Sequence, residues 1–276
     1  MRISVITPSF RSSRWLRLCV ASVADQGLPV EHIVQDTGSD DGTLDWLLQD
    51  KRVQTFVEKD AGMYDAINRG LRRASGDILA YLNCDEQYLA GTLAAVVEFF
   101  RTNPQVDVLF GDIVFVGGQG AYVGHRKVQT PLLYHTWTCH LSTLSCATFF
   151  RRRVVFDHGG FFDPRLRDSG DGEWMVRLLR RGVPMAALGR FASVFTFTGD
   201  NMSQGENARR EARNLHRTAP MWTRWMKPFI ILHHRLRRLG GGMYHQRPFN
   251  FALYTPGSPT QRVTLEVPRP TVRLEI

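Results

Sequence analysis

The chain has few cysteines and no long hydrophobic run. Its four cysteines among 276 residues form no C-x-x-C pair, so we expect reduced thiols rather than a disulfide framework. The longest apolar candidate, FIILHHRL at 229–236, is far shorter than the ~20 residues that span a bilayer. The N-terminal MRISVITPSF has one charge and a short apolar run, so a signal peptide is not expected. These absences predict a cytoplasmic protein that is at most attached to a membrane surface.

Two phosphate-binding motifs are also missing. The sequence T-P-S-F-R-S-S-R follows the first predicted strand where a dinucleotide-binding protein would have G-x-G-x-x-G, which argues against hydride transfer. The P-loop motif G-x-x-x-x-G-K-[ST] does not occur either. What the chain does have is positive charge, with a net charge of +9. Such a charge favours anionic partners such as phosphates, anionic lipid or nucleic acid.

The first hundred residues alternate between strand and helix patterns. Strands are predicted at 2–7, 31–38, 53–59 and 77–83, and helices at 12–27, 40–50, 62–76 and 89–103. This alternation predicts an α/β fold with a mostly parallel sheet and helices on both faces. Ligands bind at the carboxyl ends of the strands in such sheets, so the polar strand ends are the candidate site. These ends are Thr7-Pro8-Ser9, Asp36-Thr37-Gly38-Ser39, Lys59-Asp60 and Asn83-Cys84-Asp85-Glu86.

The pattern loosens from about residue 107. DVLFGDIVFVGG and GAYVGHRKV predict a hairpin, and a helix is predicted from about Asp171 to Arg181. ASVFTFTGDNMS at 192–203 predicts a strand followed by a polar loop. Three histidines in this half lack the spacing of a metal motif, so we expect most of them to be structural or to line an acceptor cleft. They are His125, His135 and His140.

Carboxylates end three successive predicted strands, at Asp36, Asp60 and Asp85. An isolated Asp after a strand is most often a turn or capping residue. Three acids at one edge would repel one another, so a site that holds them binds a divalent metal, hydrogen-bonds a polar ligand, or does both. Carboxylate oxygens suit Mg²⁺ or Mn²⁺, and a substrate's phosphates commonly complete the coordination of Mg²⁺.

Five motifs occur in a recognisable order: ISVITPSF, VQDTGSDDGT, EKDAGMYDAINRGLRRASGDILAYLNCDE, the GGFFD turn and SGDGEWMVRL. Together they resemble family 2 glycosyltransferases of the GT-A fold, in the group of bacterial polysaccharide-building enzymes. The resemblance covers roughly residues 2–203 and implies a Rossmann-like, mixed, mostly parallel sheet flanked by helices. We therefore expect a nucleotide-sugar-binding half at 1–110 and an acceptor and catalytic-base half at 111–205. A basic, aromatic helical segment with an extended tail is expected at 206–276.

The resemblance assigns donor-binding roles residue by residue. Thr7, Pro8 and Phe10 match the first-strand motif that lines a nucleotide base. Asp36 matches the acid that hydrogen-bonds the base, usually uracil in this family, and Ser39 lies in the adjoining loop. Asp60, Asn68 and Arg69 match the segment that approaches the ribose, the diphosphate and the donor sugar.

The resemblance also places a metal site. Asn83-Cys84-Asp85 occupies the family's Asp-x-Asp position, in which the last acid binds the metal that bridges the diphosphate. Asp85 is thus the expected ligand, with Asn83 where an acid is often found. Glu86 is left open as a solvated, helix-capping or second ligand. Asp200 stands in the loop where related enzymes often place a histidine ligand.

Asp171 matches the family's general base at the head of a helix, and Glu173 and Trp174 follow it as expected acceptor contacts. The attacking sugar hydroxyl must lose a proton, which a carboxylate accepts. A divalent cation stabilises the nucleoside-diphosphate leaving group. One base without a second carboxylate nucleophile implies inversion at the anomeric carbon. A helix N-cap is the alternative role for Asp171, and the two are compatible.

The C-terminal region interleaves basic and aromatic residues in ARREARNLHRTAPMWTRWMKPFIILHHRLRRL, residues 208–239. It is either a helix packed on the catalytic domain or an interfacial segment that meets anionic lipid. No nucleic-acid-binding motif occurs, so nucleic acid is not expected as a partner. The Pro-rich tail predicts an extended arm, which would pack on the neighbouring chain of a homodimer.

The sequence therefore predicts an inverting, metal-dependent glycosyltransferase. It would move a sugar from a nucleoside-diphosphate donor, UDP above all, to a saccharide or lipid-linked saccharide acceptor during surface-polysaccharide assembly. The expected location is the cytoplasm, with the inner face of the cytoplasmic membrane as a site of peripheral attachment. A nucleotidyltransferase of similar fold and a non-catalytic membrane- or polyanion-binding module are the alternatives.

Overall fold

The computed structural model describes residues 1–199 and 205–273. The helices are α1 Ser13–Ala24, α2 Thr43–Leu47, α3 Met63–Arg73, α4 Thr92–Thr102, α5 Leu133–Thr138, α6 Arg152–Phe156, α7 Gly170–Arg180, α8 Glu206–Arg217 and α9 Trp222–Gly240. The strands are β1 Ile3–Ser9, β2 Val30–Asp36, β3 Gln54–Val57, β4 Ile78–Tyr81, β5 Glu86–Tyr88, β6 Val108–Gly117, β7 Tyr122–Arg126, β8 Thr148–Arg151, β9 Met185–Phe197, β10 Phe249–Thr255 and β11 Ser258–Val267.

The main sheet has the strand order β3-β2-β1-β4-β8-β6-β9-β5, with β7 paired to β6. The first four strands in this order run parallel, and β6 is also parallel to β9. Antiparallel β8 joins the two parallel groups by pairing with β4 and β6. The predicted α/β fold with a mixed, mostly parallel sheet flanked by helices is confirmed.

The centre of the sheet is buried on both faces, which explains its nearly continuous apolar strands. Ile3, Val5 and Ile6 of β1 are fully buried, and so is Ile78 of β4. Helix α3 lies directly on β1, because a side chain at Gly70 would collide with Ile6. This close contact fixes the start of α3 above the carboxyl ends of β1 and β2.

Several elements of the second half differ from the sequence prediction. Strand β9 begins at Met185 rather than at 192, and its first half is irregular, with Gly189 in the left-handed region. Strands β5 and β8 are only three and four residues long, too short for any alternation of polar and apolar residues to be visible. These short strands are held by their neighbours in the sheet rather than by their own sequence pattern.

The C-terminal tail folds back on its own chain. Strands β10 and β11 form an antiparallel hairpin, and the buried side chains of Phe251 and Leu253 pack with Val114 and Val194 of the main sheet. The predicted extended arm is therefore a hairpin on the same chain. The domain boundaries at 110 and 205 stay predictions. Within the described ranges, no helix has the length and apolar character needed to cross a bilayer.

Candidate active site

Two loops at the carboxyl edge of the sheet are built around Asp36. Its Oδ1 accepts hydrogen bonds from the backbone N–H of Gly38 (2.8 Å) and Ser39 (2.7 Å). Its Oδ2 accepts from the hydroxyls of Ser9 (2.7 Å) and Ser39 (2.8 Å). Asp36 is fully buried, so it holds the ends of β1 and β2 together. A nucleobase would have to replace one of these four hydrogen bonds to contact the carboxylate directly.

Phe10 and Pro8 lie at the open side of this edge. The Phe10 ring is 52% exposed, and the guanidinium of Arg11 lies 5.0 Å from its centre. The backbone N–H of Arg11 donates to the Ser39 hydroxyl (2.8 Å), which ties Phe10 to the Asp36 loop. Pro8 is half-buried beside them. An exposed aromatic ring held in this way is suited to stacking against a base.

Thr7 and Cys84 have buried side chains, and their roles as donor contacts stay predictions. Thr7 is fully buried and its hydroxyl is hydrogen-bonded to Nε2 of His32 (2.9 Å). The Cys84 thiol is buried and donates to the carbonyl of Pro8 (3.1 Å). Burial raises the pKa of Cys84 to about 12, so it remains a neutral thiol. Both side chains thus join neighbouring segments at the strand ends.

Asn68 and Trp174 are also buried, and their contacts with the donor and the acceptor stay predictions. Asn68 exchanges two hydrogen bonds with the backbone of Phe162, at 2.8 and 2.9 Å. The Trp174 indole N–H donates to the carbonyl of Gly160 (2.6 Å), and its ring stacks on Phe162 at 5.0 Å. Together they fix the GGFFD turn, which leads into α7.

Asp60 begins the segment that approaches the start of α3. Its Oδ1 accepts the backbone N–H of Gly62 (2.9 Å), and burial raises the pKa of the carboxyl group. Arg69, predicted near the diphosphate, is paired with Asp65 (2.9 Å) on its own helix and with Glu58. The structure therefore places Asp60 at the edge of the site and Arg69 in an ion-pair network beside it.

Arg167 is a cation that the sequence patterns did not reveal. Its guanidinium lies 3.9 Å from the position of a Cβ atom on Gly62, and its side chain is exposed. It thus stands next to the Asp60 loop, although the two are about 100 residues apart in the chain. Its location depends on how the loop before α7 folds against α3, which no local pattern reports.

Asn83, Asp85 and Glu86 form an oxygen-rich group after β4. Asp85 is half-buried, and burial raises its pKa. Glu86 is fully buried, and burial together with Asp85 raises its pKa to about 8. Within the described part of the chain, Oδ1 of Asn83 and Oε1 of Glu86 are buried without a hydrogen-bond partner. Oxygen ligands with unmet capacity next to a carboxylate fit a hard divalent cation. Asp200 lies outside the described residues.

Asp171 lies in the first turn of α7. Its Oδ1 accepts the backbone N–H of Gly172 (2.9 Å) and the hydroxyl of Tyr64 (3.5 Å). The Tyr64 oxygen in turn accepts the backbone N–H of Asp171 (3.2 Å). Burial raises the pKa of Asp171, as a general base near neutral pH requires. Asp171 also raises the pKa of Glu86, so the two carboxyl groups share one electrostatic environment.

Tyr64 is the second functional residue that the sequence did not single out. It is almost fully buried on α3, and Gly170 packs so closely on its ring that a Cβ there would lie 2.6 Å from Cε2. It therefore positions the start of α7 over α3. Glu173, an expected acceptor contact, is half-buried and paired with Arg177 (2.9 Å) one turn further along α7.

A family profile and several known proteins match the chain. The profile of glycosyl transferase family 2 matches residues 4–160, more than half of the chain. The chain belongs to glycosyl transferase family 2. It is 30% identical over 181 residues to a PGL/p-HBAD biosynthesis glycosyltransferase from Mycobacterium bovis, covering 63% of this chain and 68% of the relative. The family resemblance inferred from the five motifs is thereby confirmed.

Solved structures share the fold at low sequence identity. S. aureus TarS, residues 1–349 in complex with UDP-GlcNAc, superposes with a TM-score of 0.62 and 22% identity, covering 74% of this chain and 61% of that one. The mannosyltransferase PcManGT from Pyrobaculum calidifontis, in complex with GDP-Man and Mn²⁺, superposes with a TM-score of 0.53 and 19% identity. The match covers 77% of this chain and 60% of that one. The chain thus spans about three fifths of these two structures.

Proposed function

We propose that the protein is an inverting, metal-dependent glycosyltransferase that uses a nucleoside-diphosphate sugar, UDP-linked above all, as donor. One observation carries the proposal. A partly buried carboxylate with a raised pKa, Asp171, stands at the head of α7 within the electrostatic reach of an oxygen-rich group at the strand ends. A base and a leaving-group site on one cleft are what a single displacement at an anomeric carbon requires.

The chemistry assigned to this chain is a proton transfer at Asp171. The carboxylate accepts the proton of the acceptor hydroxyl as the new glycosidic bond forms and the bond to the nucleoside diphosphate breaks. Tyr64 holds Asp171 in place through both its hydroxyl hydrogen and its oxygen. Asp85 and Glu86 are assigned to the metal rather than to a nucleophile, so the proposed reaction is a single displacement, which inverts the anomeric configuration. Positioned base catalysis of this kind contributes about 10²–10⁴-fold.

Asn83, Asp85 and Glu86 are the residues that would hold Mg²⁺ or Mn²⁺. A divalent ion bound there would supply charge stabilisation to the departing diphosphate. Mn²⁺ accompanies GDP-Man in PcManGT, which supports a metal-dependent donor site. Arg167 is the nearby cation on the other side of the Asp60 loop, where it would add positive charge for the same phosphates.

The base of the donor is assigned to the pocket edge formed by Pro8, Phe10 and the loop of Asp36 and Ser39. The exposed Phe10 ring provides a stacking surface, and loop hydrogen bonds hold it in place. TarS binds UDP-GlcNAc on the same fold, which supports a uridine nucleotide. PcManGT binds GDP-Man, so guanosine is the competing base to include in any test.

The acceptor is proposed to be a saccharide, free or lipid-linked, of a surface polysaccharide. Helix α9 supports a lipid-linked form, because it exposes Trp225 (83%), Phe229 (62%) and Leu239 (65%) along one side. The helix has no Asp or Glu but carries several Arg and Lys residues. An apolar stripe with basic flanks is suited to the surface of an anionic membrane.

The decisive experiment is turnover of a panel of UDP- and GDP-sugars by the purified chain, with Mn²⁺ and with EDTA. We expect donor hydrolysis or transfer with at least one sugar and loss of it in EDTA. Asp171→Asn and Asp85→Asn should each lower turnover by about 10²-fold or more. Glu98→Gln is the control, because this exposed acid is paired with Arg101 on α4 and belongs to none of the motifs. Failure of every donor to turn over or bind would overturn the proposal.

A further inference from the structure

Three histidines from distant parts of the chain meet where α5 packs against α9. His135 lies on α5, His140 follows that helix, and His234 lies on α9. Each histidine has one ring nitrogen in the cluster, and these three nitrogens all lie within 4.8 Å of one another. This histidine cluster shares no residue with the candidate active site.

The three rings have a definite mutual orientation. His135 and His234 are stacked, with ring centres 3.7 Å apart and an angle of 16° between planes. The His140 ring is nearly perpendicular to both, at 77° to His135 and 86° to His234. The three rings therefore do not form a simple stack, although one nitrogen of each lies close to those of the other two.

The two buried members have unmet hydrogen-bonding capacity. Nδ1 of His135 and Nδ1 of His234 are buried and have no hydrogen-bond partner among the residues that the structure describes. Buried polar atoms are nearly always satisfied, so two in one cluster call for an additional ligand. Burial also lowers the pKa of His135 to about 3 and of His234 to about 4, so both rings are neutral at pH 7 and keep a free lone pair.

A cavity of about 260 Å³ opens beside the cluster. His140 and His234 line it together with Arg126, Arg238 and Tyr244. His140 is exposed, so the cluster can be reached from solvent. Space of this size accommodates a further ligand in addition to the three rings.

We propose that His135, His140 and His234 bind one Zn²⁺ ion whose fourth coordination position faces this cavity. Three imidazole nitrogens with one open position is an established arrangement for zinc, with Zn–N bonds of about 2.0–2.1 Å. Tetrahedral geometry then separates the nitrogens by roughly 3.3 Å. The exposed His140 is the ring that can turn to close the remaining distance.

The charges around the cluster determine what the fourth ligand is. Arg126 and Arg238 line the same cavity as His140 and His234, so their positive charge lies beside the cluster. They oppose a bare dication and favour an anionic fourth ligand, such as hydroxide or a phosphate oxygen. This nitrogen site is chemically distinct from the oxygen-rich group at Asp85, which suits Mg²⁺ or Mn²⁺.

The test is Zn²⁺ binding by the full chain after treatment with a chelator, followed by competition with a chromophoric zinc indicator. We expect one Zn²⁺ per chain that Asp85→Asn does not remove. His140→Ala and His234→Ala should each weaken that binding by at least about 10–100-fold, since even the loss of an outer-shell partner costs this much. Co²⁺ in place of Zn²⁺ should give the intense visible absorption of a tetrahedral complex, and each variant should lose it.

His233→Ala is the matched control, because His233 is the exposed neighbour of His234 on the same helix. It should bind Zn²⁺ like the wild type. His140→Ala guards against misfolding, since it removes an exposed ring rather than a buried one. The proposal is overturned if the wild type binds no Zn²⁺, or if the folded His140→Ala and His234→Ala variants bind it as tightly as His233→Ala. Both readouts are independent of sugar transfer.

Discussion

At the scale of single residues, the candidate site depends on side chains that hold other side chains. Tyr64 gives one hydrogen bond to Asp171 and receives one from its backbone. Asp36 uses both carboxylate oxygens to fix the loop that carries Ser39. The functional geometry is therefore set largely by buried polar groups that would themselves contact no substrate.

Tyr64→Phe should shift the pH dependence of turnover. The Tyr64 hydroxyl favours the ionised form of Asp171, and burial opposes it. Removing the hydroxyl therefore raises the pKa of Asp171 further. Because activity needs the carboxylate, lowering the pH should abolish the activity of the variant at a higher pH than that of the wild type. We expect the acidic limb of the kcat/KM profile to move to higher pH.

Tyr88→Phe is the control for this experiment. Tyr88 is equally buried, but its hydroxyl has no hydrogen-bond partner within the described chain. Its profile should match that of the wild type. If Tyr64→Phe leaves the acidic limb unchanged, either Tyr64 does not stabilise the charged form of Asp171 or Asp171 is not the base.

Asn68→Ala should destabilise the fold rather than weaken donor binding selectively. The variant loses two buried hydrogen bonds to Phe162, each worth about 0.5–1.5 kcal/mol, so the free energy of unfolding should fall by about 1–3 kcal/mol. Urea denaturation measures this change. If the variant keeps wild-type stability but has a much higher KM for the donor, Asn68 is a ligand contact instead.

At the scale of elements, α9 is the segment whose exposed face calls for a partner. Trp225, Phe229, Leu232 and Leu236 are spaced by four, three and four residues, and each is more than half exposed. A second copy of this helix would bring like charges together, because α9 carries no acid. An anionic lipid surface matches both the apolar stripe and the charge.

The double variant Trp225→Ser/Phe229→Ser should bind vesicles with anionic headgroups at least about tenfold more weakly, since burying one large apolar side chain contributes about 1.5–3 kcal/mol. Co-sedimentation with anionic and with neutral vesicles measures the difference. Leu48→Ser, which alters an exposed leucine just after α2, should bind like the wild type. If the wild-type protein does not bind anionic vesicles, the membrane hypothesis is contradicted.

Elements with a strong local pattern were predictable from the sequence, and those formed by tertiary pairing were not. Helix α3 carries a clear helical periodicity and strand β4 a continuous apolar run, with a glycine near their junction. Both occur close to the expected positions. Strand β8 has only four residues and is defined by β4 and β6 on either side. The same distinction holds in the site, where Asp171 follows from its motif, whereas Tyr64, Arg167 and His234 depend on contacts across about 100 residues.

At the scale of the whole molecule, hydrogen bonds and an ion pair join the C-terminal hairpin to the first half of the chain. The hydroxyl of Tyr254 on β10 donates to Asp25 at the end of α1 (2.8 Å), and Arg262 on β11 pairs with the same carboxylate (2.6 Å). Gln87 exchanges two hydrogen bonds with the backbone of Tyr254, both at 2.9 Å. The tail thus stabilises the edge of the sheet that adjoins the candidate metal ligands.

Leu253→Ala should lower the free energy of unfolding by about 2–5 kcal/mol, as expected for a buried leucine. Leu253 is 1% exposed and packs in the cluster with Val114 and Val194. Val263→Ala is the matched control, because Val263 pairs with Leu253 across the hairpin but is 36% exposed. Equal stabilities of the two variants in urea would show that the hairpin is not part of the main cooperative unit.

Donor binding should be visible as a stability change of the entire chain. A ligand at 100 times its Kd stabilises the native state by about 2.7 kcal/mol, which for a protein of this size raises Tm by roughly 5–10 °C. We expect this shift for UDP with Mn²⁺, a much smaller one for UDP with EDTA, and a smaller one for GDP with Mn²⁺. Asp85→Asn should abolish the Mn²⁺-dependent part while retaining its own unliganded Tm within a few degrees.

The comparison separates two parts of the donor site. Loss of the Mn²⁺ effect in Asp85→Asn alone assigns the metal to the strand end after β4, because the base-binding loop around Asp36 is untouched. A shift that is equal with Mn²⁺ and with EDTA would contradict metal-assisted binding of the diphosphate. A larger shift with GDP than with UDP would assign the Phe10 pocket to a guanine and overturn the uridine preference, while leaving the metal assignment intact.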